Sequence, residues 1–240
     1  MDRLNKIIDR YKLSDYEKEE LKHLIVSIYN HDEFQRRMTS EYAHHGEITL
    51  GQHILEVTII SYIIGKKFKN IDLDLVIKIA MFHDLYTLPW QNSPIKDSKF
   101  SNKHGFRHPI EAIVNSSIWF PDEYLNEDKA YKMIDGIMHH MFPLPVSKCI
   151  DFNETIDYNP LELRNIELLS ELTPQTKNYL IKSGSRGRIG SYSFKLPKNL
   201  EGNVVVIADK ISAIADIKLT DIYSITALIT GKNKGLKKIK

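Results

Sequence analysis

The sequence predicts an all-α fold. Three observations carry that prediction. Apolar residues recur at helical spacing along most of the chain. Capping residues (Ser14, Thr49, Asp72) stand ahead of these runs, and prolines stand where they stop.

A short helix is expected at 2–12. Ser14 reads as an N-cap, and Glu17 completes a capping box for a helix running to about Asn30, with Leu21, Leu24, Ile25 and Ile28 on its inner face. His23 and His31 read as solvent-facing or structural. Residues 36–48 show no clear period, and Gly46 suggests a turn. Thr49 then caps a helix over about 50–67, which carries Leu50, His53, Ile54, Val57, Ile60 and Ile64 mostly at helical spacing. His53 therefore lies on or beside the buried face.

Asp72 or Asp74 opens the next helix, which ends in His83-Asp84. Pro89 prevents continuation, and the polar stretch 91–104 reads as a surface loop. Pro109 at a first helical position places His108 at or next to the N-cap of a helix over about 109–119. A further helix, about 126–139, stops at His139-His140-Met141-Phe142-Pro143-Leu144-Pro145.

Residues 151–201 read as an insertion of mixed or irregular structure, with helices at 160–172 and 174–181. The glycine-containing stretch 182–194 is expected as a mobile loop or short hairpin. No strand-to-helix context makes its glycines a phosphate loop, although its arginines face an anionic ligand in one reading. From 204 to 218 a helix is preferred to a strand at 204–207, because Ile207, Ile211, Ile214 and Leu219 continue a helical face. That puts Asp209 inside an apolar helix. A last helix, 221–230, precedes a lysine-rich end read as solvated. The chain is expected to be one domain over 1–240, with N-terminal helices at 1–35, a core at 40–150 and 200–230, and the insertion between.

Composition narrows the class. With 42% hydrophobic and 27% charged residues and a net charge of +2, the 240-residue chain reads as a globular protein with no specific nucleic-acid partner. No apolar run reaches the roughly 18 residues that span a bilayer. The amphipathic N-terminus does not read as a signal peptide. The single cysteine, Cys149, excludes an internal disulfide and points to a reducing, cytoplasmic setting.

The chemistry starts from the doublet His83-Asp84 at the end of the apolar run Ile77-Lys78-Ile79-Ala80-Met81-Phe82. A desolvated carboxylate without partners costs several kcal/mol, so this pair needs them. His53, His108, His139 or His140, and Asp209 supply them from other helices. Eight of the ten histidines fall between His44 and His140. Imidazoles and carboxylates suit divalent Fe, Mn, Zn or Co. In this reading Asp84 bridges two metals. His53, His83 and Asp209 complete one, and His108 with a histidine of the 139/140 pair completes the other. Two ions roughly 3.5–4 Å apart bind a phosphate, generate hydroxide and stabilise a leaving oxygen. No Gly-x-Ser-x-Gly elbow, Walker loop or cysteine nucleophile competes with this reading.

The succession His53, His83-Asp84, His108, His140 and Asp209 resembles the HD-domain superfamily of metal-dependent phosphohydrolases. The match extends to His45-Gly46, Gln52-His53, Phe82-His83-Asp84, His104-Gly105-Phe106-Arg107-His108-Pro109, His140-Met141-Phe142-Pro143-Leu144 and Ala208-Asp209-Lys210. These resemble a bacterial HD subgroup whose last histidine motif usually reads His-Met-Trp-Pro-Leu. The chain is more distantly similar to HD-GYP phosphodiesterases, whose His-His pair keeps His139 a candidate ligand, but it lacks their Gly-Tyr-Pro element. The resemblance implies a helical bundle around two divalent transition metal ions and a small phosphorylated substrate. Attack would come from a metal-activated hydroxide. It makes Asp84, His104 and Lys210 catalytic candidates, and His45 and Arg107 phosphate-binding candidates. Two alternatives stand beside it: an HD-fold di-iron oxygenase, which uses the same order of ligands, and a non-catalytic HD domain that senses a ligand.

Overall fold

The computed structural model describes residues 2–45, 48–86, 104–147, 188–189 and 192–218, with the side chains of Asp2, His45, His104, Arg107, Ser147, Arg188, Ile189, Tyr192, Ser193 and residues 215–218 excepted. The expectations for the loop after Tyr86, for helices at 160–172, 174–181 and 221–230, and for the lysine-rich end lie outside the described residues. Among the described residues the fold is mostly helical, as the periodicity required.

Helix α1 (Asp2–Ile8) leads into α2 (Asp15–Tyr29). Both halves of the α2 capping box form: the Glu17 N–H donates to Ser14 Oγ at 3.3 Å, and the Ser14 N–H donates to the Glu17 carboxylate at 2.8 Å. Leu21, Ile25 and Ile28 are buried, with Leu24 packed at the edge of the core. Helix α3 (Asp32–Arg37) occupies a stretch where no period is visible, because six residues are too few to repeat one. His31 caps it, Nδ1 accepting from the Glu33 N–H at 3.2 Å, which gives that histidine a structural role. Strands β1 (Ala43–His45) and β2 (Ile48–Thr49) pair antiparallel, and the turn expected at Gly46 lies outside the described residues.

Helix α4 (Leu50–Gly65) starts at a second reciprocal box between Thr49 and Gln52. It is buried on nearly every side, so it is the central helix of the bundle rather than an amphipathic surface helix. Two of its buried polar groups are partnered: Glu56 pairs with Arg10 at 3.6 Å, and Thr58 Oγ1 donates to the Ile54 carbonyl at 2.7 Å, whereas Ser61 Oγ has no hydrogen-bond partner among the described residues. Helix α5 (Leu73–Phe82) is capped by Asp72, which accepts from the Leu75 N–H at 3.1 Å, and His83 forms its C-cap.

Helix α6 (His104–Trp119) corrects one expectation. It begins at His104 rather than Pro109, so Pro109 and His108 lie inside it. Proline is most at home in a first turn, where no N–H is needed. Here it lies in the second turn, and the Gly105 carbonyl forgoes its helical donor. Helix α7 (Glu127–His139) starts at Asn126, whose side chain accepts from the Lys129 N–H at 3.0 Å, and has His140 as its C-cap. Helix α8 (Leu200–Lys218) takes the stretch where strand and helix competed.

Helix α4 packs on α5 and α8, and α7 packs on α5, α6 and α8. Each fully buried leucine or isoleucine contributes about 1.5–3 kcal/mol of transfer free energy to this core. Helices α7 and α8 approach closely through two glycines. A Cβ on Gly202 would lie 2.8 Å from the Gly136 Cα and 2.7 Å from the Pro197 Cβ. A small sheet joins the two ends of the inserted segment: β3 (Val146–Ser147) pairs with β5 (Tyr192–Ser193), and β5 with β4 (Arg188–Ile189), all antiparallel. Strands β4 and β5 are the short hairpin expected within 182–194. No helix among the described residues is long and apolar enough to cross a membrane.

Candidate metal centre

The C-terminal ends of α5 and α7, the first turn of α4, the N-terminal part of α6 and the middle of α8 meet at one point. From α4 comes His53, from the α5 C-cap His83, and from the next residue Asp84. Helix α6 supplies His108, the α7 C-cap His140, and α8 Asp209. All six are buried.

The two oxygens of Asp84 face different partners. Oδ2 lies 3.8 Å from His53 Nε2 and 3.7 Å from His83 Nε2. Oδ1 lies 3.1 Å from His108 Nε2 and 3.4 Å from His140 Nε2. Asp209 belongs to the first group: its Oδ1 is 3.3 Å from His53 Nε2 and 3.9 Å from His83 Nε2. His108 and His140 bring their Nε2 atoms to 3.1 Å of one another.

Backbone carbonyls fix two of the imidazoles. A carbonyl only accepts, so His83 Nδ1–H donates to Ala80 at 2.7 Å, and His140 Nδ1–H donates to Ile137 at 2.7 Å. With Nδ1 as the donor, the neutral form of each ring has its lone pair on Nε2, directed at the centre. His83 Nε2 is buried with no hydrogen-bond partner among the described residues. Its lone pair faces the oxygens of two carboxylates, which is repulsive until a cation stands between them. Triads of His53, His83 and Asp209, and of His83, Asp84 and His140, each offer ligand atoms within 4.8 Å of one another. The donor set is all nitrogen and oxygen, and it suits borderline divalent metals.

Electrostatics agree with ligation. Burial pushes the His83 imidazole down to about 4, so it is neutral at pH 7. Burial works against the Asp84 carboxylate, but in acid, where His83 becomes cationic, the charge of that imidazole and the interaction with His108 outweigh it and hold the group well below the usual carboxylate range. Asp209 is likewise buried yet held low, by its hydrogen bond with His53 and by the Lys210 ammonium. Both carboxylates are therefore anionic at neutral pH.

The remaining candidates from the sequence fall in different places. Lys210 Nζ is 2.8 Å from Asp209 Oδ2 and 3.4 Å from the His140 carbonyl, so it pins the outer oxygen of one ligand to the helix end that carries another. His139 makes its contacts away from this cluster: Nδ1 donates to the Asp135 carbonyl at 2.9 Å and lies 3.4 Å from Asp135 Oδ1. That geometry follows from α7, where consecutive residues point about 100° apart. His45 closes β1, while His104 and Arg107 lie in the first turn of α6.

Three residues at the centre carried no motif in the sequence. His44 stacks on His53 and shares a third potential ligand triad with His53 and Asp84. Tyr86 places its hydroxyl 3.1 Å from His44 Nδ1. Burial, with Asp84 and Glu111 nearby, pushes the Tyr86 phenol well above its ordinary value, so it stays protonated. Arg37, fully buried, donates to the Tyr86 carbonyl from Nε at 3.0 Å and from Nη2 at 2.6 Å. No signal in the sequence singled out His44, since strands of three and two residues leave no alternation to count.

The family model described as HD domain matches residues 50–214, more than half of the chain. No curated protein matches the chain, and no solved structure does.

Proposed function

The chain belongs to the HD-domain family, and from that premise we propose that it is a metal-dependent phosphohydrolase acting on a small phosphomonoester or phosphodiester, with a nucleotide-like compound as the first class to test. One observation carries the reading. A single buried carboxylate, Asp84, turns one oxygen to His53 and His83 and the other to His108 and His140. That is the donor arrangement of a carboxylate shared by two cations.

In this reading His53, His83, Asp84 and Asp209 hold one ion, and Asp84, His108 and His140 hold the second. When bound, such ions supply Lewis acidity to phosphoryl oxygens and acidify water. The chain's own residues do the rest. The Ala80 and Ile137 carbonyls lock two imidazoles in the tautomer that directs Nε2 inward. Lys210 neutralises part of the charge of Asp209 and orients it. Arg37 and Asn115 hold the chain immediately after Asp84: Asn115 Nδ2 donates to the Leu85 carbonyl at 2.7 Å, beside the two bonds from Arg37 to Tyr86. His104 is assigned to proton transfer, and His45 and Arg107 to phosphate contact.

The test is phosphate release from a panel of nucleotides and simple phosphate esters, by metal-loaded protein and by protein stripped with chelator. Release that needs added Mn, Fe, Co or Zn is expected. Iron-dependent consumption of oxygen with no phosphate release would move the assignment to oxidative chemistry. No turnover of any kind by fully loaded protein would leave the centre without an enzymatic role.

A further inference from the structure

His44 reaches the centre from outside the helical bundle, on the short hairpin of β1 and β2. Its ring stacks on that of His53, with centroids 4.3 Å apart and planes inclined by 29°. One of its ring nitrogens lies within 4.8 Å of both a ring nitrogen of His53 and an oxygen of Asp84. Its Nδ1 is 3.1 Å from the Tyr86 hydroxyl, and the Tyr86 ring meets the edge of His108, with centroids 6.1 Å apart. The pair of His44 and Tyr86 therefore spans from the first imidazole group to the second.

Two features separate His44 from the six ligands. It is half-buried where they are buried, so it is the histidine of the cluster open to an incoming molecule. The second feature is orientation. An imidazole binds a metal through a lone pair in its ring plane, so two rings that share an ion point at it along converging planes. The rings of His44 and His53 are stacked, with planes inclined by only 29°, which is not a converging pair. Ring pairs assigned to one ion are inclined much more steeply: 55° for His53 and His83, and 62° for His108 and His140.

We propose that His44 is a substrate-contacting residue of this centre: the Tyr86 hydroxyl donates to Nδ1, and Nε2–H donates to a non-bridging oxygen of the bound phosphate ester. The inference rests on the phosphohydrolase reading above. A tetrahedral phosphate presents several acceptor oxygens. Oxygens not taken up by the metal ions would remain as acceptors, and an N–H at the rim suits one of them. Tyr86 acts as a positioning residue, since it sets the tautomer and aim of His44.

The experiment combines metal analysis, calorimetric titration with inorganic phosphate, and steady-state kinetics on p-nitrophenyl phosphate and its bis ester. It compares wild type, His44→Ala, His44→Gln and Tyr86→Phe, each loaded with Mn. His44→Ala is expected to keep the wild-type metal stoichiometry while phosphate affinity and kcat/KM fall about ten- to a hundredfold, the size of a lost hydrogen bond to a charged group. The amide N–H of His44→Gln falls near the position of Nε2 and should restore most of that loss. Tyr86→Phe should lose about three- to tenfold. Loss of a metal equivalent in both His44 variants would make His44 a ligand and overturn the proposal. So would a His44→Ala protein that binds phosphate and turns over as wild type does. If metal-loaded wild type neither binds phosphate nor releases it from any ester, the phosphohydrolase reading fails, and this assignment fails with it. An active wild type beside an unimpaired His44→Ala isolates the failure to His44.

Discussion

Replacing Arg37 with methionine should cost more stability than any exposed charge in the molecule. The guanidinium is fully buried between the rings of Trp119 and Tyr42, its Cζ lying 4.5 Å and 5.2 Å from their centroids. It makes two bonds to the Tyr86 carbonyl, at 3.0 and 2.6 Å, and two to Glu33, at 2.5 Å to its carbonyl and 3.2 Å to its carboxylate. Methionine fills nearly the same length, so the loss is polar rather than a cavity. Glu33 is only half-buried and regains water. The Tyr86 carbonyl gains nothing in exchange for two charged donors. Hydrogen bonds from a charged group are worth about 1.5–3 kcal/mol each and do not add in full, and breaking a buried ionic network costs about 3–5 kcal/mol. The upper range applies. For a domain of this size each kcal/mol lowers Tm by about 2–4 °C, so Tm should fall by roughly 6–20 °C. Scanning calorimetry on metal-free protein is the right assay, because bound metal would mask part of the change. Arg37→Lys should fall in the same range, since one ammonium does not reproduce a planar fork held between two rings. An Arg37→Met protein within about 1 kcal/mol of wild type would refute the reasoning, because the clamp on the chain after Asp84 would then be dispensable.

Two further perturbations follow from the same geometry. Gly202→Ala should destabilise by about 1–3 kcal/mol, because the new methyl meets the Gly136 Cα at 2.8 Å and the Pro197 Cβ at 2.7 Å, atoms that cannot rotate away. It should also weaken metal binding by spreading α7, which carries His140, from α8, which carries Asp209; unchanged Tm and metal affinity would contradict this. In acid the metal-free protein should lose stability in two stages. His83 is held near 4 in the folded state against 6.5 when unfolded, so the unfolded chain takes up more protons between these values and stability falls as pH drops through that window. The shift corresponds to about 3 kcal/mol. Asp84 and Asp209 are held below their ordinary 3.8, so their contribution is present above that value and is lost below it. Chemical denaturation at a series of pH values would show both stages, and a flat profile from pH 7 to 4 would count against the buried neutral imidazole.

Much of the helical framework was legible because its signals are local. Ser14 with Glu17, Thr49 and Asp72 mark helix starts by their own hydrogen bonds, and the runs behind them carry enough turns to show a period. Helix α3 escaped notice because it is too short to repeat. The start of α6 was misplaced because Pro109 is tolerated one turn deeper than its usual position. At the centre, the residues that converge lie far apart in the chain, and their types suggested ligation before any geometry was known. Arg37 and Tyr86 were illegible for the opposite reason. An arginine in a polar stretch reads as a surface charge, and only tertiary packing makes it a buried clamp. His44 and His45 could not be told apart in the sequence, since a two-strand hairpin of this length leaves no alternation to count.

The central claim is that Asp84 is shared between two cations, and metal stoichiometry tests it most directly. Wild-type protein and Asp84→Asn, stripped and reloaded together with Mn or Fe and analysed by plasma mass spectrometry, should differ sharply. Wild type should approach two equivalents per chain, and Asp84→Asn should retain at most one. A wild type that binds no metal, or an Asp84→Asn protein that keeps both ions, would contradict the account.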